Sequence, residues 1–227
     1  QVSFSQPRNT LFALVGPSGG GKTTIANLLA RFWDVQKGSV LVRGVDVRRL
    51  PLGTLMDHIS MVFQNVYLFH DTIYNNIAMG RPDASREEVI EAAKQARCYD
   101  FIMALPDGFD TMVGEGGANL SGGERQRISI ARCILKDAPI VILDEATANV
   151  DADNESYIQE AISSLCRGKT LLVIAHRLNT IFHADRILVV ERGAIVQAGR
   201  HEELAAQEGV YRRFVAARSG GMGWNRR

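Results

Sequence analysis

Cysteine is scarce here, with three in 227 residues. Cys98, Cys133 and Cys166 are far apart, odd in number and form no CxxC pair, so a zinc cluster or a redox dithiol has no support. They read as neutral thiols of a reducing compartment. An excess of one charge is missing too. Lys and Arg total 26 against 25 Asp and Glu, a formal net charge of +1. That excludes the strong basic excess of a dedicated nucleic-acid binder, so no nucleic-acid partner is expected. No stretch of about 18 consecutive apolar residues occurs, which excludes a membrane-spanning helix within the sequence. Internal repeats and low-complexity blocks are absent. The opening Gln1-Val2-Ser3-Phe4 is no signal peptide and reads as the middle of a strand, as expected of a piece of a longer polypeptide.

What is present is a core-forming composition, 46% hydrophobic, organised in short apolar runs. Leu11 to Val15, Val40 to Val42, Ile59 to Phe63, Ile140 to Leu143, Leu171 to Ile174 and Ile187 to Val190 read as strands, several of them buried on both faces. Helix-like stretches alternate with them, which predicts an α/β fold with a mainly parallel sheet. Between Val66 and Asp137 no buried strand is evident. Ser85 to Glu88 fits a capping box ahead of a helix over Arg86 to Arg97. The expected organisation is one domain. Its α/β core covers about residues 1–65 and 138–217, with a helical subdomain inserted over about 66–137. The Gly- and Arg-rich tail, 218–227, is expected to be disordered.

Three motifs carry chemistry. Gly16-Pro17-Ser18-Gly19-Gly20-Gly21-Lys22-Thr23 fits G-x-x-x-x-G-K-[ST] between a strand and a helix. Glycines let phosphate oxygens approach the backbone, whose N–H groups form an anion nest at a helix N-terminus. Lys22 supplies a charge for β- and γ-phosphates, and Thr23 a hydroxyl for Mg²⁺. Second, the apolar run Ile140 to Leu143 ends in Asp144-Glu145. In enzymes with this loop such an Asp holds the Mg²⁺ shell, and Glu145 is the candidate general base toward an attacking water. Third, Leu120-Ser121-Gly122-Gly123-Glu124 opens another helix. Ser121 and Glu124 make a capping box, yet two glycines are poor residues for a first helical turn. They make sense where backbone must touch something, and a bare helix N-terminus suits phosphate.

The third motif, lying between the phosphate loop and the Asp-Glu strand, makes the chain resemble the nucleotide-binding domains of ABC transporters over nearly its whole length. Gln64 matches the family's Q-loop glutamine, Ala148-Asn149-Val150-Asp151 its D-loop, and His176 its switch histidine. The resemblance implies a P-loop NTPase core with an antiparallel β part at the N-terminus, truncated here. It implies ATP and Mg²⁺ as cofactors, and two domains facing head to tail. ATP held by Gly16 to Thr24, including Thr23 and Thr24, would meet Leu120 to Glu124 of the partner. Gln64 and His176 would serve catalysis with Glu145. Gln64 would also sense Mg²⁺ beside Thr23 and Asp144, and Asp151 would couple the two sites.

Gln64 to Ile73, with Asn76-Ile77 and Val113-Gly114-Glu115, resembles the exporter branch, in particular bacterial half-transporters of multidrug and siderophore systems. In that branch these stretches meet coupling helices of a transmembrane domain, at the cytoplasmic face of a membrane. An exposed Tyr67, Leu68 and Phe69 would suit a groove for such a helix; the alternative is that they are ordinary core residues. Two departures stand out. The family's adenine-stacking aromatic lies upstream of where this chain starts; Phe4, expected in the strand leading to the loop, does not take that role. The D-loop reads Ala-Asn-Val-Asp where Ser-Ala-Leu-Asp is commoner. Rival readings are a soluble ABC ATPase of DNA repair or translation, and an ATP-gated module without turnover.

Overall fold

The computed structural model describes residues 2–63, 65–144 and 152–219. Gln64, Glu145 and the whole stretch Ala148-Asn149-Val150-Asp151 lie outside the described residues, as does 220–227.

The strands are β1 (Leu11–Val15), β2 (Leu41–Val42), β3 (Val45–Asp46), β4 (Ile59–Val62), β5 (Ile140–Asp144), β6 (Thr170–Ile174), β7 (Arg186–Glu191) and β8 (Ala194–Gly199). Six of them form one sheet in the order β4-β5-β6-β1-β7-β8, and β2 pairs with β3 in a small antiparallel ribbon. At the centre, β1 runs parallel to both neighbours, with Leu11 opposite Leu171 and Val15 opposite Val189. Phe12, Ala13, Leu14 and Val15 are all buried, as a strand flanked on both sides and covered on both faces must be. The apolar runs seen in the sequence thus map onto strands. The missed ones are β3, which is two residues long, and β8.

Strand β8 pairs antiparallel with β7 across a tight turn at Arg192 and Gly193, both at positive φ (50° and 72°). Such a pair of left-handed residues matches the twist of a two-residue hairpin. Residues Val2 to Thr10 are not in a strand, against the sequence expectation. Phe4 instead lies against the ring of Phe12, centroids 6.3 Å apart. Hydrophobic alternation there reflects one packing contact and not a ladder.

Two compact units divide the chain. The first comprises Gln1–Ile59, Ile142–Glu145 and Lys169–Arg227. It holds the centre of the sheet with helices α1 (Lys22–Leu29), α2 (Leu52–Asp57), α8 (Leu178–Phe182), α9 (His201–Ala205) and α10 (Val210–Ser219). The second comprises Ser60–Val141 and Ala146–Gly168. It is mainly helical, with α3 (Ile73–Ala78), α4 (Arg86–Gln95), α5 (Tyr99–Met103), α6 (Gly122–Lys136) and α7 (Ala152–Cys166). Its long helix α6 buries Ile128, Ile130, Ala131, Cys133 and Leu135, and α7 buries Ile158, Ala161 and Leu165. Both expected capping boxes form. Ser85 Oγ accepts from the Glu88 N–H while Glu88 Oε2 accepts from the Ser85 N–H, at 3.2 and 2.8 Å. Ser121 and Glu124 repeat the arrangement at the same distances. Burial pushes the Cys98 thiol up to about 12 and the Cys133 thiol up to about 11, so both stay protonated and unreactive.

Candidate nucleotide-binding site

The phosphate loop is shaped by close backbone approach. A Cβ on Gly16 would lie 2.1 Å from the Val190 carbonyl oxygen, and one on Gly20 would lie 2.7 Å from the same atom. The loop is thus pressed onto the end of β7. Gly19 and Gly21 have φ of 73° and 106°, left-handed values that cost other residues about 1–2 kcal/mol. The Gly20 carbonyl accepts from the Gly193 N–H at 2.9 Å, so the β7–β8 hairpin props the loop from behind. Gly21 is the N-cap of α1 and has no side chain to cap it. The orphan N–H groups of that first turn are therefore free for an anion. Ser18, Thr23 and Thr24 are exposed at this mouth.

Lys22 is buried and folds back over the loop, donating to the Gly16 and Pro17 carbonyls at 3.0 and 2.8 Å. Burial lowers its pKa, Asp144 counteracts that, and Arg218 adds to it. Asp144 ends β5, half-buried, and desolvation raises its carboxyl above the ordinary value while Lys22 opposes the rise. The partly desolvated Asp144 carboxylate, which interacts with Lys22, and the exposed hydroxyl of Thr23 next to that lysine in sequence are both hard oxygens. They fit Mg²⁺, which takes few protein ligands and keeps water and phosphate for the rest.

His176 follows β6 directly. Its Nε2 lies 3.8 Å from Asp144 Oδ1, too long for a hydrogen bond. Burial, then Arg218, then Lys22 hold the imidazole below its ordinary pKa, so it is neutral and this approach is not an ion pair. The first unit therefore brings together the phosphate loop, Lys22, Asp144 and His176.

One residue of this group had no motif to announce it. Arg218, near the end of α10, donates from Nη1 to the His176 carbonyl and lies over the Phe214 ring, 4.5 Å from the centroid. A charged side chain spaced four residues from an aromatic on a C-terminal helix is too common a pattern to signal a site.

The signature turn sits in the second unit. Leu120 is buried, Ser121 and Gly122 are exposed and Gly123 is buried. With Ser121 and Glu124 capping each other, helix geometry leaves the Gly122 and Gly123 N–H groups without an intrahelical partner. The preceding loop is organised by Arg125, which donates to the Gly117 and Leu120 carbonyls at 3.2 and 3.0 Å. Asn119 accepts from the Gly114 N–H at 2.9 Å.

These features, a glycine nest with a buried lysine and a separate glycine-opened helix carrying Leu-Ser-Gly-Gly, have a match among known proteins. The sequence profile described as ABC transporter covers residues 1–148. The chain belongs to the ABC transporter family. It is 55% identical over 210 residues to the ATP-dependent lipid A-core flippase of Legionella pneumophila (strain Paris), covering 92% of this chain and 36% of that protein. The flippase of the same name from Vibrio cholerae serotype O1 is 53% identical over 211 residues, covering 92% of this chain and 36% of the relative. A solved structure described as a bacterial Atm1-family ABC exporter with ATP bound superposes with a TM-score of 0.89 at 44% identity, over 96% of this chain and 38% of that one. This ABC domain thus spans a little over a third of the length of the relatives it matches.

The segment after Gln64 differs from expectation at one residue. Tyr67 and Phe69 are 59% and 48% exposed, but Leu68 is wholly buried. The two exposed rings lie edge to face with centroids 5.5 Å apart, and the residue between them enters the core. The buried Asn76 fixes this stretch. Its Oδ1 accepts from the Phe69 N–H at 2.9 Å, and its Nδ2 donates to the Phe69 and Thr72 carbonyls at 3.0 Å each. Among the described residues no helix is long and apolar enough to cross a membrane.

Proposed function

We propose that this ABC domain is an ATPase motor of an exporter, acting at the cytoplasmic face of a membrane. It works as a pair of ATPase domains closed head to tail around two ATP molecules. The observation that carries the reading is the clustering of Lys22, Asp144 and His176 at the phosphate loop. Likeness to flippases and to an exporter structure supports the transport role.

In this reading the N–H groups of Gly19 and of Gly21 to Thr24, with the Lys22 ammonium, hold the β- and γ-phosphates, while the Gly20 N–H stays on the Pro17 carbonyl. Thr23, Asp144 and Gln64 would hold Mg²⁺, which would neutralise charge building on those phosphates. Glu145 takes a proton from water as its oxygen bonds to the γ-phosphorus and the bond to the bridging oxygen breaks, releasing ADP and phosphate. A neutral His176 has one N–H for a γ-phosphate oxygen and one lone pair for the water. Leu120 to Glu124 of the partner domain cover the phosphate through the Ser121 hydroxyl and the free N–H groups, and Asp151 couples the two sites. Tyr67 and Phe69, with Gln64 to Ile73 around them, receive a coupling helix of the transmembrane portion.

The test is Mg-ATP hydrolysis as a function of protein concentration, for the chain and for Glu145→Gln. The rate per molecule should rise with concentration. The variant should lose roughly 100-fold or more of it, within the range set by removing a general base, while still pairing on ATP in sedimentation. A rate per molecule independent of concentration would overturn the composite site.

A further inference from the structure

The two signature glycines stand in different surroundings. A Cβ on Gly122 would meet nothing nearer than the Arg125 Nη2 at 4.0 Å. A Cβ on Gly123 would lie 2.8, 2.9 and 3.0 Å from Cγ, Cβ and Oδ1 of Asn154. Gly123 is therefore small because its own chain fills the space. Asn154 belongs to α7, three residues after Asp151 in sequence.

Asn154 is itself held. Arg127, one turn along α6 from Gly123, donates from Nη2 to Asn154 Oδ1 at 2.9 Å and from Nη1 to the Arg97 carbonyl at 2.5 Å. Arg127 is only 6% exposed. Its guanidinium lies 4.8 Å from the Phe101 ring centroid and 5.2 Å from that of Tyr157. A buried, ring-stacked guanidinium has little rotamer freedom, so the acceptor it grips is fixed as well.

We infer that Asn154 is a positioning residue for the signature turn, the surface on which Gly123 is seated, and that Arg127 locks it there. The start of α6 and the start of α7 then move as one body. This rests on the head-to-tail reading, in which the turn serves the partner's ATP. A residue that only positions the turn acts on closure and turnover, not on the nucleotide its own chain binds.

The experiment uses the chain with Asn154→Ala, Asn154→Asp, Gly123→Ala, and Gly123→Ala combined with Asn154→Gly. Three readouts are hydrolysis at a concentration where pairs form, ATP affinity in dilute solution, and thermal unfolding. Asn154→Ala should lower turnover about five- to tenfold, the scale of one lost ordinary hydrogen bond, with ATP affinity unchanged within about twofold. Asn154→Asp, which keeps an acceptor for Arg127, should recover most of the loss. Gly123→Ala should lower both turnover and the unfolding midpoint, and the double variant should regain part of each. Wild-type turnover in Asn154→Ala, equal losses in the Ala and Asp variants, or a double variant no better than Gly123→Ala would each overturn the proposal. If turnover proves independent of pairing, the head-to-tail reading fails. The midpoints of Gly123→Ala and the double variant still decide whether Asn154 seats the glycine.

Discussion

Two helices in this molecule begin with glycines, and they do so for different reasons. At α1 the glycines are internal necessities. Gly16 and Gly20 press on the Val190 carbonyl, and Gly19 and Gly21 are left-handed. At α6 one glycine is seated on Asn154 and the other faces open space. The chemistry differs likewise. The α1 end has its own lysine, carboxylate and histidine nearby. The α6 end has a serine hydroxyl, two orphan N–H groups and a glutamate already engaged with Ser121. A triphosphate bound at the first end finds charge compensation on one side. The second end has donors suited to a phosphate oxygen, and the cation beside it, Arg125, is engaged with the Gly117 and Leu120 carbonyls. In the proposed head-to-tail reading each is half of a site.

The largest effect that would test this contrast comes from the cation. Lys22→Ala should lower hydrolysis by about 10²–10³-fold, the scale of removing one preorganised group from developing negative charge. It should also weaken ATP binding in dilute protein, which calorimetry reads. Ser121→Ala should leave dilute binding intact and lower only turnover at pairing concentrations. If both variants weaken dilute binding alike, the two ends are not the different halves described here.

A smaller effect separates the glycines themselves. Gly20→Ala must displace the loop from the Val190 carbonyl, at about 1–3 kcal/mol, typical of overpacking. Gly122→Ala adds a methyl where nothing stands in its way. It should hold stability or raise it by about 0.5–1 kcal/mol, the ordinary gain of alanine over glycine in a helix, while still lowering turnover by crowding the partner's phosphate. Denaturant unfolding beside an ATPase assay reads both. A Gly122→Ala variant that loses stability would make that glycine structural as well.

The sequence pattern displayed most of this. Apolar runs located five of the six strands of the main sheet and missed β8, whose burial is mixed; a parallel strand covered on both faces has to be continuously apolar. Capping boxes located the starts of α4 and α6, because the residues that satisfy the first turn are local in sequence. What stayed hidden was non-local. That Gly20 is held by β7, that Gly123 rests on Asn154 and that Arg218 reaches His176 depend on partners 31 to 170 positions away, which no spacing rule encodes. Leu68 shows a related limit. Three apolar residues in a row look alike on paper, yet the fold buries only the middle one. The strand expected at Gln1 to Phe4 is not formed over the described residues, where Phe4 lies against the Phe12 ring.

The smallest effect concerns protons, and it separates the α1 end from any site without a cluster of cations. His176 is held below its ordinary value of 6.5 by burial first, then by Arg218 and then by Lys22. In the folded chain without nucleotide its ring should therefore titrate at lower pH than in the unfolded chain, as NMR of the labelled ring would show. Below 6.5 the unfolded state binds the proton more readily, so this histidine lowers stability as pH falls from 6.5 through the folded value, and contributes nothing to the pH dependence above it. Arg218→Ala removes a neighbouring positive charge and the donor to the His176 carbonyl. The ring's titration should move back up toward 6.5 and the acid-side loss of stability should shrink. Arg218→Lys retains the charge without the planar fork, so it should restore the low titration while leaving the carbonyl contact weaker. If Arg218→Ala leaves the titration unmoved, burial alone sets the histidine, and the guanidinium serves only to tie α10 to the end of β6.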